Sequence, residues 1–166
     1  RLSNWKAGTR KGYNYRGGRN KQKLVIYATL TDLQGVVLSG SGNILSTNRF
    51  KSSSDVRVVL SGSGNIELDF TADDVNTVLS GSGNILLDGS VANAEVRLSG
   101  SGNVDALKLR SNTLTATSSG SGNIRMTVEN AITVLSHSGS GDILYKGDPS
   151  KIKTHKSSGS GKLRTL

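Results

Sequence analysis

Apolar residues fall at every second place in short runs along the chain. Examples are Val58-Val59-Leu60-Ser61, Val96-Arg97-Leu98-Ser99, Ile66-Glu67-Leu68-Asp69-Phe70 and Ile124-Arg125-Met126-Thr127-Val128. A period of two is the strand period, with one face of the strand buried and the other wet. No segment combines helical spacing with capping residues, so almost no helix is expected.

Between these runs a short motif recurs. Gly-Ser-Gly begins at Gly40, Gly62, Gly81, Gly100, Gly120, Gly139 and Gly159, at intervals of 22, 19, 19, 20, 19 and 20 residues. The next position holds Asn43, Asn65, Asn84, Asn103 and Asn123, then Asp142 and Lys162. The one after is apolar throughout: Ile44, Ile66, Ile85, Val104, Ile124, Ile143 and Leu163. Each copy reads as strand, tight turn, strand, looser turn. Two strands of about five residues and two turns make one circuit of about twenty, so like stacks on like. A meander of hairpins would pair unlike halves and would need no constant period. The expected fold is therefore all-β: a single-stranded parallel β-helix (a β-solenoid) of ~20-residue rungs, with a flattened two-sheet cross-section.

The structural turn motif comprises Gly40, Gly42 and Asn43; Gly62, Gly64 and Asn65; Gly81, Gly83 and Asn84; Gly100, Gly102 and Asn103; Gly120, Gly122 and Asn123; and Gly139, Gly141 and Asp142. The glycines are expected to supply positive φ at a sharp corner. The asparagines are expected to stack on one another or to hydrogen-bond locally. Phosphate-cradling glycine loops lead into a helix, and these lead into strands, so a structural corner is the expected role.

Residues 24–166 are expected to form the repeat domain, with Lys23–Leu30 as an extra rung lacking the Gly-Ser-Gly corner. Residues 1–23 form a separate basic segment. Within it, Arg10, Lys11, Arg16, Arg19 and Lys21, with Lys23 at the boundary, are interleaved with Tyr13 and Tyr15. That density of charge is the candidate polyanion-binding element, the alternative being a long solvated turn. At the other end, Lys151, Lys153, Lys156, Lys162 and Arg164 crowd the last rung, where charge guards an exposed edge. The place two residues before each glycine reads Leu38, Leu60, Leu79, Leu98, then Ser118, His137 and Ser157. This predicts a core tapering toward solvent in the last three rungs, with a polar pocket or a subunit face as alternatives.

The net charge of +9 is placed at the ends: +7 over residues 1–35, −2 over residues 36–141 and +4 over residues 142–166. That distribution argues against a nucleic-acid groove along the body. Zero cysteine removes disulfides, thiol chemistry and cysteine metal sites. No apolar stretch is long enough for a transmembrane helix. A start at Arg1 rather than Met predicts a processed form. The two histidines, His137 and His155, lie about one rung apart but lack an obvious third partner. Asp73-Asp74 is expected to be a solvated corner, and only Asp142 fits a calcium-repeat pattern. No Ser-His-Asp set, paired carboxylates or lyase-like Asp/Arg cluster emerges, so no catalytic residue, cofactor or metal is expected.

The repeated Leu-Ser-Gly-Ser-Gly-Asn-Ile, preceded by Val25–Leu33, resembles the head GIN domain family of auto-transporter adhesins, abundant in Bacteroidetes. The resemblance covers about residues 23–166. It implies a parallel β-helix exported to the periplasm or cell surface, acting as a non-catalytic binding or adhesion module toward a glycan or surface protein. Homo-oligomers would form through the solenoid ends. The alternatives are a polysaccharide-active β-helix enzyme and a purely structural spacer.

Overall fold

A computed structural model of the chain describes residues 25–148 and 150–166. Residues 32–166 form one compact unit, the solenoid.

It opens with three short strands, β1 (Gly35–Gly40), β2 (Asn43–Leu45) and β3 (Phe50–Lys51), followed by β4 (Val56–Gly62). Four long strands come next: β5 (Asn65–Leu79), β6 (Asn84–Leu98), β7 (Asn103–Ser118) and β8 (Ile124–Gly139). The stack closes with β9 (Ile143–Lys146), β10 (Lys151–Gly159) and β11 (Leu163–Thr165). Every pairing is parallel, in the order β1-β4-β5-β6-β7-β8-β9-β11, with β2 and β3 also on β5 and β10 also on β8. The result is a parallel β-solenoid of about seven turns with no helix among the described residues.

Registers follow the repeat. Asn65 pairs with Asn84, Ile66 with Ile85 and Leu79 with Leu98, so equivalent residues stack at roughly 4.8 Å per rung. The column after the asparagines is buried from Ile66 to Ile143 and half-buried at the end rungs, at Ile44 and Leu163. Phe70, Leu87, Leu109, Met126 and Val128 fill the interior beside it.

Two features depart from the sequence-based expectation. The looser turn does not end the strand, because each middle coil runs as one strand of 15 or 16 residues and the turn is taken up by register shifts, as between Leu86 and Asp88 and between Ala106 and Arg110. In β6 the bend passes through Gly89, which has φ +118 and stacks so closely on Phe70 that a Cβ would collide with the Phe70 carbonyl oxygen. Secondly, the extra rung expected at Lys23–Leu30 is absent over its described part. Val25–Leu30 are exposed and form no strand, and the first strand begins at Gly35. Alternation marks a chain able to pair, but a strand exists only where a neighbour takes its hydrogen bonds.

Candidate binding faces of the solenoid

The tight corner is held by backbone stacking. The N–H groups of Ser82 and Gly83 both donate to the Gly62 carbonyl, and the arrangement repeats from Ser101 and Gly102 onto Gly81 and from Ser121 and Gly122 onto Gly100. Among the corner glycines, positive φ is found only at Gly40, Gly62 and Gly159. Close approach makes the wider demand: a Cβ on Gly81, Gly83, Gly100, Gly102, Gly120, Gly122, Gly139 or Gly141 would overlap the equivalent carbonyl oxygen one rung earlier. Glycine is required here less for its torsional freedom than for the missing side chain.

One side chain fits beneath this corner. Leu60 Cδ2 lies against Gly83, and Leu79 and Leu98 lie likewise against Gly102 and Gly122. The leucine two places before one Gly-Ser-Gly thus supports the second glycine of the next. At Gly141 the three nearest atoms are all backbone, and at Gly161 the neighbour is the His137 ring. Ser118 and His137 therefore occupy leucine positions inside the core, 1% and 6% exposed, and only Ser157 reaches solvent. The tapering expected from the sequence is overturned for those two rungs. His137 Nε2 lies 2.9 Å from the Gly139 carbonyl oxygen, which can only accept, so Nε2 carries the proton. Its Nδ1, like Ser118 Oγ and Thr77 Oγ1, is buried with no partner among the described residues. His155 registers with Leu135, two places from His137's own partner Ser157, and is exposed. The two histidines form no joint site.

Outside the corner runs an amide ladder. Asn65 Nδ2 donates to Asn43 Oδ1 at 2.9 Å, Asn84 to Asn65 at 3.1 Å, Asn103 to Asn84 at 3.2 Å and Asn123 to Asn103 at 3.1 Å. Asp142 has no side-chain N–H to give. Its backbone N–H donates to Asn123 Oδ1 at 2.8 Å, and its own Oδ1 accepts the Lys162 backbone N–H at 2.8 Å. An amide both donates and accepts, so it propagates a ladder that a carboxylate can only terminate.

The same sheet face carries a shallow depression of about 300 Å³ lined by Ser46, Asn48, Arg49, Glu67, Asp69, Asp88 and Lys108. Arg49 Nε lies 2.6 Å from Asp69 Oδ1, and its Nη2 lies 3.7 Å from Asp88 Oδ1. The hydrogen bond and charge of Asp69, with the charge of Asp88 behind them, raise the Arg49 pKa above its ordinary value. On the second half of the same strands, Asn93 Nδ2 donates to Asp74 at 2.6 Å, Asn76 Nδ2 to Glu95 at 2.6 Å and Thr113 Oγ1 to Asn93 at 2.5 Å. Asp74 is thus tied into a cross-rung network, while Asp73 is exposed. These polar groups bond to one another along the rungs, and the second set lines a further shallow depression of about 350 Å³. No cluster of His, Cys, Asp and Glu able to hold a metal occurs among the described residues. Within the described residues no helix is long and apolar enough to cross a membrane. The basic residues Arg10, Lys11, Arg16, Arg19, Lys21 and Lys23 lie outside the described residues.

Residues 9–149 match the family described as "Putative auto-transporter adhesin, head GIN domain", and the chain belongs to that family. No curated protein matches it. Two solved structures share the fold. One is described as a "Putative lipid binding protein from Parabacteroides distasonis", 29% identical with a TM-score of 0.73, covering 80% of this chain. The other is described as "a putative adhesin (BF0245) from Bacteroides fragilis", 24% identical with a TM-score of 0.78, covering 98% of this chain. The chain spans 52% of the first protein's length and 76% of the second's.

Proposed function

We propose that the domain is a non-catalytic binding module of the cell surface or periplasm, engaging a glycan or a surface protein through the flat sides of its solenoid. The observation that carries this reading is the pairing pattern on both halves of the strands. Carboxylates, amides and guanidinium groups are bonded along the ladders, as in Arg49–Asp69 and Asn93–Asp74, leaving two rigid polar surfaces. Rigid strands hold such groups in fixed positions and lower the ordering cost of binding. Membership of an adhesin-type family and likeness to a protein described as lipid-binding support a role in contact with surface molecules. The basic segment from Arg10 to Lys23 is a second element proposed to meet polyanions.

A glycan array, run with a depolymerisation assay on acidic polysaccharides, tests the proposal. Retention without turnover is the expected result. Cleavage by the pure protein would transfer the domain to the polysaccharide-active enzymes, and the absence of any ligand would leave it a spacer.

A further inference from the structure

Charge on the solenoid is divided along its axis. Residues 32–105 hold nine acidic and four basic side chains, and residues 106–166 hold nine basic and three acidic. On the sheet face that carries the asparagine ladder, the division falls at β7. Arg49, Glu67, Asp69 and Asp88 occupy the rungs before it. From β7 onward the strands of the main ladder carry exposed cations: Lys108 and, one residue past the position paired with Gly89, Arg110 on β7, then Arg125 on β8, Lys146 on β9 and Arg164 on β11. Those four strands are consecutive in hydrogen-bonded order.

The register arranges them in two staggered columns. Arg110 stacks on Thr127 and Thr127 on Lys146, while Arg125 stacks on Leu144 and Leu144 on Arg164. A cation therefore recurs on every second strand in each column, roughly 10 Å apart. Four carboxylates lie near the lane, with Glu129 and Asp148 two residues beyond Thr127 and Lys146. Asp105 lies 3.7 Å from Arg125, and Asp142 accepts the Lys162 backbone N–H. Lys108, Arg110, Lys146 and Arg164 form no salt bridge among the described residues. Four like charges left unneutralised on a rigid sheet repel one another, and an anionic ligand relieves that repulsion.

We propose that this lane is a binding site for an acidic polysaccharide, whose carboxylates or sulfates pair with Arg110, Arg125, Lys146 and Arg164 in turn. The proposal rests on the reading of the domain as a binding module and names its ligand class. A linear polyanion suits the lane better than a lipid surface does. The lane is narrow, and its apolar side chains Leu107 and Leu144 are half-buried, with nothing to insert into a bilayer. Guanidinium groups grip carboxylates and sulfates in paired hydrogen bonds. The acidic rungs before β7 confine the polymer to the C-terminal half of the face.

The test is retention of the full chain on immobilised polygalacturonate and dextran sulfate, with neutral dextran and phosphatidylglycerol vesicles in parallel. The triple variant Arg110→Ser, Lys146→Ser, Arg164→Ser should bind the two acidic polymers about tenfold more weakly. The charge-keeping triple Arg110→Lys, Lys146→Arg, Arg164→Lys should bind more tightly than the serine triple, and unchanged thermal unfolding of both confirms that they fold. Undiminished binding by the serine triple would overturn the proposal. So would binding abolished by Arg16→Ala, Arg19→Ala, Lys21→Ala alone, or retention on vesicles without retention on polymers. Retention only on neutral glycans would remove this inference and leave the binding-module reading intact, whereas retention on no glycan or vesicle would remove both.

Discussion

Ile85 stands at the centre of the buried column, 1% exposed between Ile66 at 1% and Val104 at 0%. Replacing it by alanine removes three carbons. At about 0.8 kcal/mol per buried methylene, the lost transfer energy is about 2.4 kcal/mol. A cavity term adds to this when the surroundings cannot collapse. Here collapse is limited, because Ile66 and Val104 on the rungs to either side are held in register with Ile85 by the parallel ladder. The expected loss is therefore about 3–5 kcal/mol, in the upper part of the range for aliphatic truncations. Ile44→Ala, at a half-buried end rung, should cost less than half as much. Urea unfolding followed by circular dichroism measures both, with stability changes read from the midpoint at constant slope. A loss below about 1 kcal/mol for Ile85→Ala, or equal losses at the two sites, would refute the tight stacking inferred here.

Other expectations follow from the same geometry. His137→Leu restores the side chain used at Leu60, Leu79 and Leu98 and removes the orphaned Nδ1, so it should raise stability by about 1–3 kcal/mol in thermal unfolding. Gly89→Ala forces a Cβ into the Phe70 carbonyl at φ +118 and should destabilise by more than 1 kcal/mol, read from the denaturation midpoint. Asn84→Ala interrupts an exposed ladder at two hydrogen bonds and should cost about 0.5–1.5 kcal/mol in the same assay. The backbone N–H and hydroxyl of Ser53 hold the Asp32 carboxyl below its ordinary 3.8. A depressed folded-state pKa gives stability that is complete above the unfolded value and fades as pH falls through the folded one. Asp32→Asn should thus lower the melting temperature at neutral pH and converge with the native chain under strong acid.

The architecture was legible in the sequence because the features that define it recur. Seven corners at near-constant spacing force like residues into register, and the inner column from Ile44 to Leu163 could be read directly. Features that occur once were harder to read. Ser118 and His137 look solvated by residue type, but the strand period fixes their direction, and the period points both inward. Gly89 carries a signal of its own, a glycine at an inward place of an alternating run. Val25–Leu30 has the pattern of a strand without a partner among the described residues to complete it. The cation lane was hidden by averaging. Residues 36–141 sum to near neutrality, and only the register shows acidic rungs in one half of a face and basic rungs in the other.

The leucine seated beneath each following glycine gives the rod a mechanical polarity. Leu60, Leu79 and Leu98 each latch the next corner, and the latch is missing where Ser118 meets Gly141. Under tension between its ends the rod is expected to peel from the C-terminal coils and to hold at β7, each released coil paying out roughly 60 Å of chain. In a force-extension experiment this appears as short early steps followed by a stiffer remnant; an N-terminal coil releasing first would contradict it. A solenoid built this way yields by lengthening at one end before its central coils give way.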